Sequence, residues 1–246
     1  MPHRPAVYAD LLPASKLLAA AFHDDYLFGE FIHPHRNEYP DDAYLYYLRW
    51  LRETYYSEPG EYLIVTYSTH AETGQEDHIT GIAHWIRNYS KPPRASLISQ
   101  AVVKAISVYN AAEDYIYPNR AIDYSHADVL PLGNPFFEHH WTGTRADSWH
   151  LSLLGVHPNA MKRGYGRELV AWGFDRSREE GVSVSVVSVP GQEGFYRACG
   201  FDVEVGTMND EGGDANPHVA AGLEPAPILF CDHGMEPKGM KKYGEK

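Results

Sequence analysis

The residues best placed to do chemistry run Leu153-Leu154-Gly155-Val156-His157-Pro158-Asn159-Ala160-Met161-Lys162-Arg163-Gly164-Tyr165-Gly166-Arg167. An apolar, β-type run enters a turn holding Arg163-Gly164-Tyr165-Gly166, and a helical pattern follows directly. Such a turn aims unpaired backbone N–H groups and the positive end of a helix dipole at one point, which makes it an anion site. The glycines let the backbone approach a pyrophosphate closely, and Lys162, Arg163 and Arg167 add charge-assisted contacts. By itself a Gly-x-Gly at this junction is a weak signal, because plain turns share it. The third glycine of a dinucleotide fingerprint and the Gly-Lys-Ser/Thr ending of a P-loop are both missing.

Three further side chains have chemistry to offer. His150 and Ser152 stand two apart in the run that leads to the turn, so in a strand they share a face. Tyr196 sits in Phe195-Tyr196-Arg197-Ala198-Cys199-Gly200-Phe201. Its bland reading is a packed helix tyrosine before Gly-Phe. A phenol of pKa about 10 is also a reasonable proton donor to a departing thiolate. His33-x-His35 and His139-His140 invite a metal, but neither spacing demands one and Pro34 favours a turn, so loop roles and no metal are expected. Trp85, Trp141 and Trp149 read as core packing at least as readily as pocket walls.

The elements that would position these groups follow from periodicity. Arg4 to Tyr8 predicts a short strand, Leu12 to Phe22 a helix with Leu17, Leu18, Ala21 and Phe22 on one face, and Asp41 to Tyr56 a second helix rich in aromatics. Tyr62 to Tyr67 and Ile79 to Ile86 are β-rich runs joined by the polar stretch Ser68 to His78, the pattern of a hairpin with a long turn. Residues 88 to 147 then break the pattern, with a helix at Ala95 to Ala112 and turn-rich sequence after it, and read as an insertion between two strands. Order resumes with a strand at Ser148 to Val156, a helix at Gly166 to Glu180 stopped by Gly181, and a β-branched strand at Val182 to Val189. A short helix at Gly194 to Cys199, a strand at Phe201 to Val205 and a last strand at Ile228 to Cys231 complete the pass.

Composition excludes several classes. A formal net charge of −12 over 246 residues opposes the phosphate electrostatics of nucleic-acid binding, and suits a cationic partner such as an amine. The two cysteines, Cys199 and Cys231, make no disulfide framework. The apolar run Leu11 to Phe22 is broken by Pro13 and Lys16, and nothing reaches the roughly 20 apolar residues of a bilayer span. A single domain over residues 1–246, cytoplasmic and free of the membrane, is the expectation.

Val156-His157-Pro158 followed by Arg163-Gly164-Tyr165-Gly166, and Phe195 to Phe201 beyond a helix and a β-branched strand, together resemble the GCN5-related N-acetyltransferase superfamily. The resemblance is clear over 148 to 205, extends to the hairpin at 62 to 86 and the N-terminal elements, and is absent over 88 to 147. The family's cofactor signature, Gln/Arg-x-x-Gly-x-Gly/Ala, has Met161 at its first position here. The resemblance implies an α/β (α+β) fold with a mixed sheet of about six or seven strands, helices on both faces, and a V-shaped splay between the fourth and fifth strands.

It further implies acetyl-CoA as donor. The pantetheine arm would lie along the backbone of Leu154, Gly155 and Val156, and the pyrophosphate against Met161, Lys162, Arg163, Gly164, Tyr165, Gly166 and Arg167. Tyr196 matches the family tyrosine that touches the cofactor and supplies the thiolate's proton. His150 matches a strand histidine that removes the amine proton through water, and Ser152 stands where a second histidine would complete that relay; His84 is a weaker contender. The expected reaction is acetyl transfer to a small-molecule amine by direct attack on the thioester. The alternatives are a protein N- or O-acyltransferase and an acyl-CoA sensor without turnover. Acceptor identity, acyl chain length and oligomeric state are left open by the sequence.

Overall fold

A computed structural model describes residues 1–57, 59–69 and 76–245. Strands β1 (His3–Pro5), β2 (Glu61–Thr69), β3 (Glu76–Asn88), β4 (Ser148–Val156), β5 (Ser183–Val187), β6 (Val203–Thr207) and β7 (Pro227–Cys231) form a mixed sheet in the order β1-β2-β3-β4-β5-β7-β6. The helices are α1 (Leu11–Ala21), α2 (Tyr44–Tyr56), α3 (Leu97–Ile116), α4 (Val129–Gly133), α5 (Tyr165–Glu180), α6 (Glu193–Cys199) and α7 (Pro217–Ala220). The α/β class expected from the sequence is what the chain adopts. Most of the turn expected between β2 and β3 lies outside the described residues. Among the described residues no helix is long and apolar enough to cross a membrane.

The chain divides into two compact units, residues 1–85, 93–127 and 153–169 in the first and residues 86–92, 128–152 and 170–246 in the second. The boundary falls inside β4 and again inside α5.

In the first unit α1 buries Leu11, Ala14, Leu17 and Leu18, a one-sided helical stripe, against Tyr47, Leu48 and Leu51 of α2 and Leu63, Val65 and Ile82 of the strands. Asp10 anchors the start of α1 by accepting from Arg4 at 2.6 and 3.1 Å and from the Val7 N–H at 2.7 Å. That last bond pulls Val7 out of the sheet, which is why β1 stops at Pro5, short of the expected Tyr8. Helix α2 starts at Tyr44, later than the expected Asp41, and the Asp42 carboxylate ahead of it holds Arg120 through its backbone N–H at 3.2 Å and its Nε at 2.7 Å.

Helix α3, capped by Ser96 through the Ser99 N–H at 3.0 Å, is attached to α2 mainly by polar groups. Asn110 donates to the Arg49 carbonyl at 2.9 Å, Arg52 pairs with Glu113 at 2.8 Å, and Arg49 pairs with Asp114. Its apolar residues Leu97, Ile98, Val108, Tyr115 and Ile116 stay exposed.

In the second unit β4 and β5 run parallel, with Ser148 to Leu151 paired in register with Ser183 to Val186. Strand β5 ends one residue later at Val187, whereas β4 continues to Val156. Strand β7 is antiparallel to both β5 and β6. Helix α6 ends at Gly200, whose φ of 116° is a left-handed conformation natural to glycine. Phe201 then packs edge-on against Phe174 of α5 at 4.9 Å.

The last part of the expected insertion, residues 128–147, belongs to this unit and is tied into it at its final turn. Arg145 forks onto Asp232, just beyond β7, at 2.6 and 3.0 Å, while the Ser183 hydroxyl donates to the same carboxylate at 2.7 Å. The Arg145 guanidinium also lies 4.2 Å from the centre of the Phe230 ring.

Candidate functional site

The candidate phosphate loop lies in the first unit. Its entry is pinned by the His157 N–H, which donates to the Thr80 carbonyl of β3 at 2.9 Å. Its exit is pinned by Trp85, whose indole N–H donates to the Leu169 carbonyl at 3.1 Å and holds the first turns of α5 on β3. Gly81 makes that approach possible, since a Cβ there would come within 3.0 Å of Leu169 and 3.1 Å of the Gly155 carbonyl.

Between these pins residues 161–164 are exposed and sharply turned. Lys162 has φ of 61° and Gly164 φ of 91°. A lysine held at positive φ is strained, and such strain gathers at functional sites. Among the described residues no N–H of positions 162–167 donates to a backbone carbonyl; the first helical bond is from Glu168 to the Gly164 carbonyl at 3.0 Å. Lys162, Arg163 and Arg167 likewise make no hydrogen bond or ion pair among the described residues. Free donors and free cations therefore border one turn, which is the chemistry of an anion cradle.

Glu168, which the sequence reading did not single out, follows in the first turn of α5 and is tied to His3 at 2.8 Å. Gly155 turns out to be a packing position: a Cβ there would lie 2.5 Å from a Leu18 methyl, so its bare α-carbon admits α1. Leu154 and Val156 are half-buried and alternate with Leu153 and Gly155, which are buried.

The acid–base candidates lie in the second unit. Along β4, Trp149 and Leu151 are buried, His150 is half-buried and Ser152 exposed, so His150 and Ser152 do share the more open face. The His150 ring stands edge-on to Trp141 at 5.3 Å, and its Nδ1 is 3.0 Å from the Ser185 hydroxyl. Neither Trp141 nor Ser185 was tied to His150 by the sequence. The available signal was the run Ser183-Val184-Ser185-Val186, in which serines alternate with valines on a strand that is buried on both faces.

Tyr196 is buried, 9% exposed, in α6 between the edges of Phe195 at 5.1 Å and Phe201 at 5.9 Å. Its hydroxyl makes no hydrogen bond among the described residues. Burial, and then the neighbouring Cys199, push the phenol well above its ordinary pKa. The proton is therefore held firmly, and a departing thiolate would be met by a hydrogen-bond donor that gives up its proton reluctantly.

The other histidines are engaged elsewhere. His84 is buried, paired through Nε2 with Glu61 and edged by Trp50 at 5.0 Å. His33 is buried with Nδ1 2.6 Å from the Phe28 carbonyl, while His35 is exposed. His139 and His140 lie with ring centres 4.0 Å apart. Burial, with His139 and Arg145 adding to it, lowers the pKa of His140 to about 4, so it is neutral at pH 7. Among the described residues no three His, Cys, Asp or Glu side chains gather as a metal set. Trp85 and Trp149 are buried in packing contacts, and the Trp149 N–H donates to Glu180 at 3.0 Å.

Residues 133–201 match the model of the acetyltransferase (GNAT) family. Both motifs that carried the sequence resemblance lie inside that segment and the resemblance holds, but the match also takes in residues 133–147, where the sequence showed none. No curated protein matches the chain. Among solved structures, one described as histone acetyltransferase HPA2 and related acetyltransferase, from Corynebacterium glutamicum, is 16% identical with a TM-score of 0.54 and 93% of each chain covered. That likeness shows the fold alone. A GNAT family acetyltransferase from Brucella melitensis, in complex with acetyl-CoA, is 13% identical over 82% of each chain with a TM-score of 0.37. Arylalkylamine N-acetyltransferase 2 from Aedes aegypti is 12% identical over 94% of this chain and 97% of its own, with a TM-score of 0.45. At such scores the last two carry no argument about this chain.

Proposed function

We propose that the chain transfers an acetyl group from acetyl-CoA to the amino group of a small molecule. The observation that carries this reading is the turn at 161–167, where N–H groups and cations that have no partner among the described residues meet in a protein of net charge −12. Cations left without partners in so acidic a chain favour an anionic ligand. The family match over 133–201 supports reading that anion as a CoA pyrophosphate.

In this reading Met161 to Arg167 hold the phosphates, with Gly164 and Gly166 giving room and Lys162, Arg163 and Arg167 giving charge. The backbone of Leu154 to Val156 pairs with the amides of the pantetheine arm, as an added strand would. The ammonium proton of the amine passes through water to His150, the freed nitrogen lone pair bonds to the thioester carbonyl carbon, the carbon–sulfur bond breaks, and the nitrogen's second proton leaves with the departing sulfur as the thiol. Tyr196 donates its phenolic hydrogen bond to the departing sulfur. The acidic surface draws a protonated amine toward the protein, and Ser152 beside His150 offers a hydroxyl for the relaying water.

Tyr196→Phe removes one hydroxyl from a buried ring and leaves the packing against Phe195 and Phe201 intact. It is expected to lower kcat at least tenfold, with acetyl-CoA affinity unchanged, in an assay following free thiol release. Wild-type turnover in this variant would remove Tyr196 from the mechanism. The function itself is tested by incubating the protein with acetyl-CoA and a panel of alkyl and aryl amines and weighing the products: an acetylated amine supports it, and acetyl-CoA left intact against every amine would point to a sensor.

A further inference from the structure

The Ser185 hydroxyl is completely buried and stands at the junction of three groups. The Trp141 indole N–H donates to its oxygen at 2.9 Å. Its hydroxyl is also 3.4 Å from the Trp149 carbonyl, to which it can donate. His150 Nδ1 lies 3.0 Å from the same oxygen. A hydroxyl has one proton to give and two lone pairs to share. With its proton given to that carbonyl and one lone pair taken by Trp141, the remaining lone pair is left to accept from His150 Nδ1.

We propose that Ser185, itself oriented by Trp141, is a positioning residue that holds His150 in the Nδ1–H tautomer. The tautomer of a histidine is set by the hydrogen bond at its other nitrogen. A proton fixed on Nδ1 leaves the Nε2 lone pair as the basic site. When Nε2 takes a proton, the Nδ1–H to Ser185 to Trp149 carbonyl chain keeps its direction, so no donor has to turn round. Trp141 belongs to the stretch between β3 and β4, and its edge-on contact at 5.3 Å fixes the ring plane as well. This inference rests on the acetyl-transfer reading for its catalytic meaning; the tautomer is a property of the free protein.

Long-range proton–nitrogen correlation spectra of the uniformly labelled full chain at neutral pH read the tautomer directly. The wild type is expected to show His150 protonated on Nδ1. Ser185→Ala is expected to move the proton to Nε2 and to lower kcat about tenfold, with the KM for acetyl-CoA unchanged. Trp141→Phe keeps a ring in place and removes only the N–H, and is expected to give a mixture of tautomers even where the alanine variant fails to fold. A wild-type His150 carrying its proton on Nε2 would overturn the proposal, as would an unchanged tautomer in both variants. Because these spectra need no acetyl transfer, that failure is distinct from failure of the functional reading, which would show as an absence of product with the tautomer intact.

Discussion

Gly164→Asp is expected to weaken acetyl-CoA binding about a hundredfold, or roughly 2.7 kcal/mol. Two effects add. Gly164 sits at φ of 91°, where a side chain costs roughly 1–2 kcal/mol, so the turn is pushed toward another backbone path. A carboxylate then faces the phosphates, and each like-charge pair at about 4 Å costs roughly 1 kcal/mol even in water. Space is not the obstacle, because a Cβ there meets nothing nearer than the Met1 side chain at 3.5 Å. Gly164→Ala isolates the backbone share: it should lose less affinity, and its loss should not change with salt, whereas the extra loss in the aspartate variant should shrink as salt rises. Calorimetric titration of the two variants at low and high salt separates these shares. Unchanged affinity in Gly164→Asp would place the cofactor elsewhere.

Arg145→Ala should cost the folded protein about 3–5 kcal/mol, the usual result of leaving one member of a buried ion pair alone. Arg145 is 4% exposed and Asp232 7%, with both carboxylate oxygens engaged. Burial raises the Asp232 pKa, but the bonds from Arg145 and Ser183 outweigh it and hold the carboxyl below the usual range. A folded-state pKa below the unfolded one stabilises the fold above the ordinary value of about 3.9. That stabilisation is lost as pH falls from there through the lower folded value. Urea unfolding should therefore show the wild type losing stability in that acid window and Arg145→Ala losing much less there. Replacing both partners, as Arg145→Met with Asp232→Leu, should cost less than the single change. Equal stability of wild type and Arg145→Ala would mean that the pair does not hold the turn before β4.

Local pattern made much of this legible. Strand β4 was bounded correctly at Ser148 to Val156 because its open and buried positions alternate, and α5 ended at Glu180 as Gly181 signalled. The turn at 161–167 and the short helix that carries Tyr196 were legible as structure, the first from its adjacent glycines and cations and the second from the stop at Gly200. Contacts between distant segments were not readable. Ser185 meets Trp141 across 44 residues, and Arg145 meets Asp232 across 87. Burial was equally hidden: a phenol near its ordinary pKa suits a donor to a thiol, and only packing reveals that Phe195 and Phe201 enclose it. Gly155 has two readings in sequence, cofactor approach and close packing, and the Leu18 methyl shows that packing uses the bare α-carbon.

The central claim is that the turn at 161–167 binds the pyrophosphate of acetyl-CoA, and calorimetric titration of the purified full chain with acetyl-CoA and with free CoA tests it most directly. The account predicts micromolar binding of both ligands, weakened by salt and lost in Gly164→Asp, with further heat of turnover when an amine is added. Absence of binding by either ligand at low salt would contradict it.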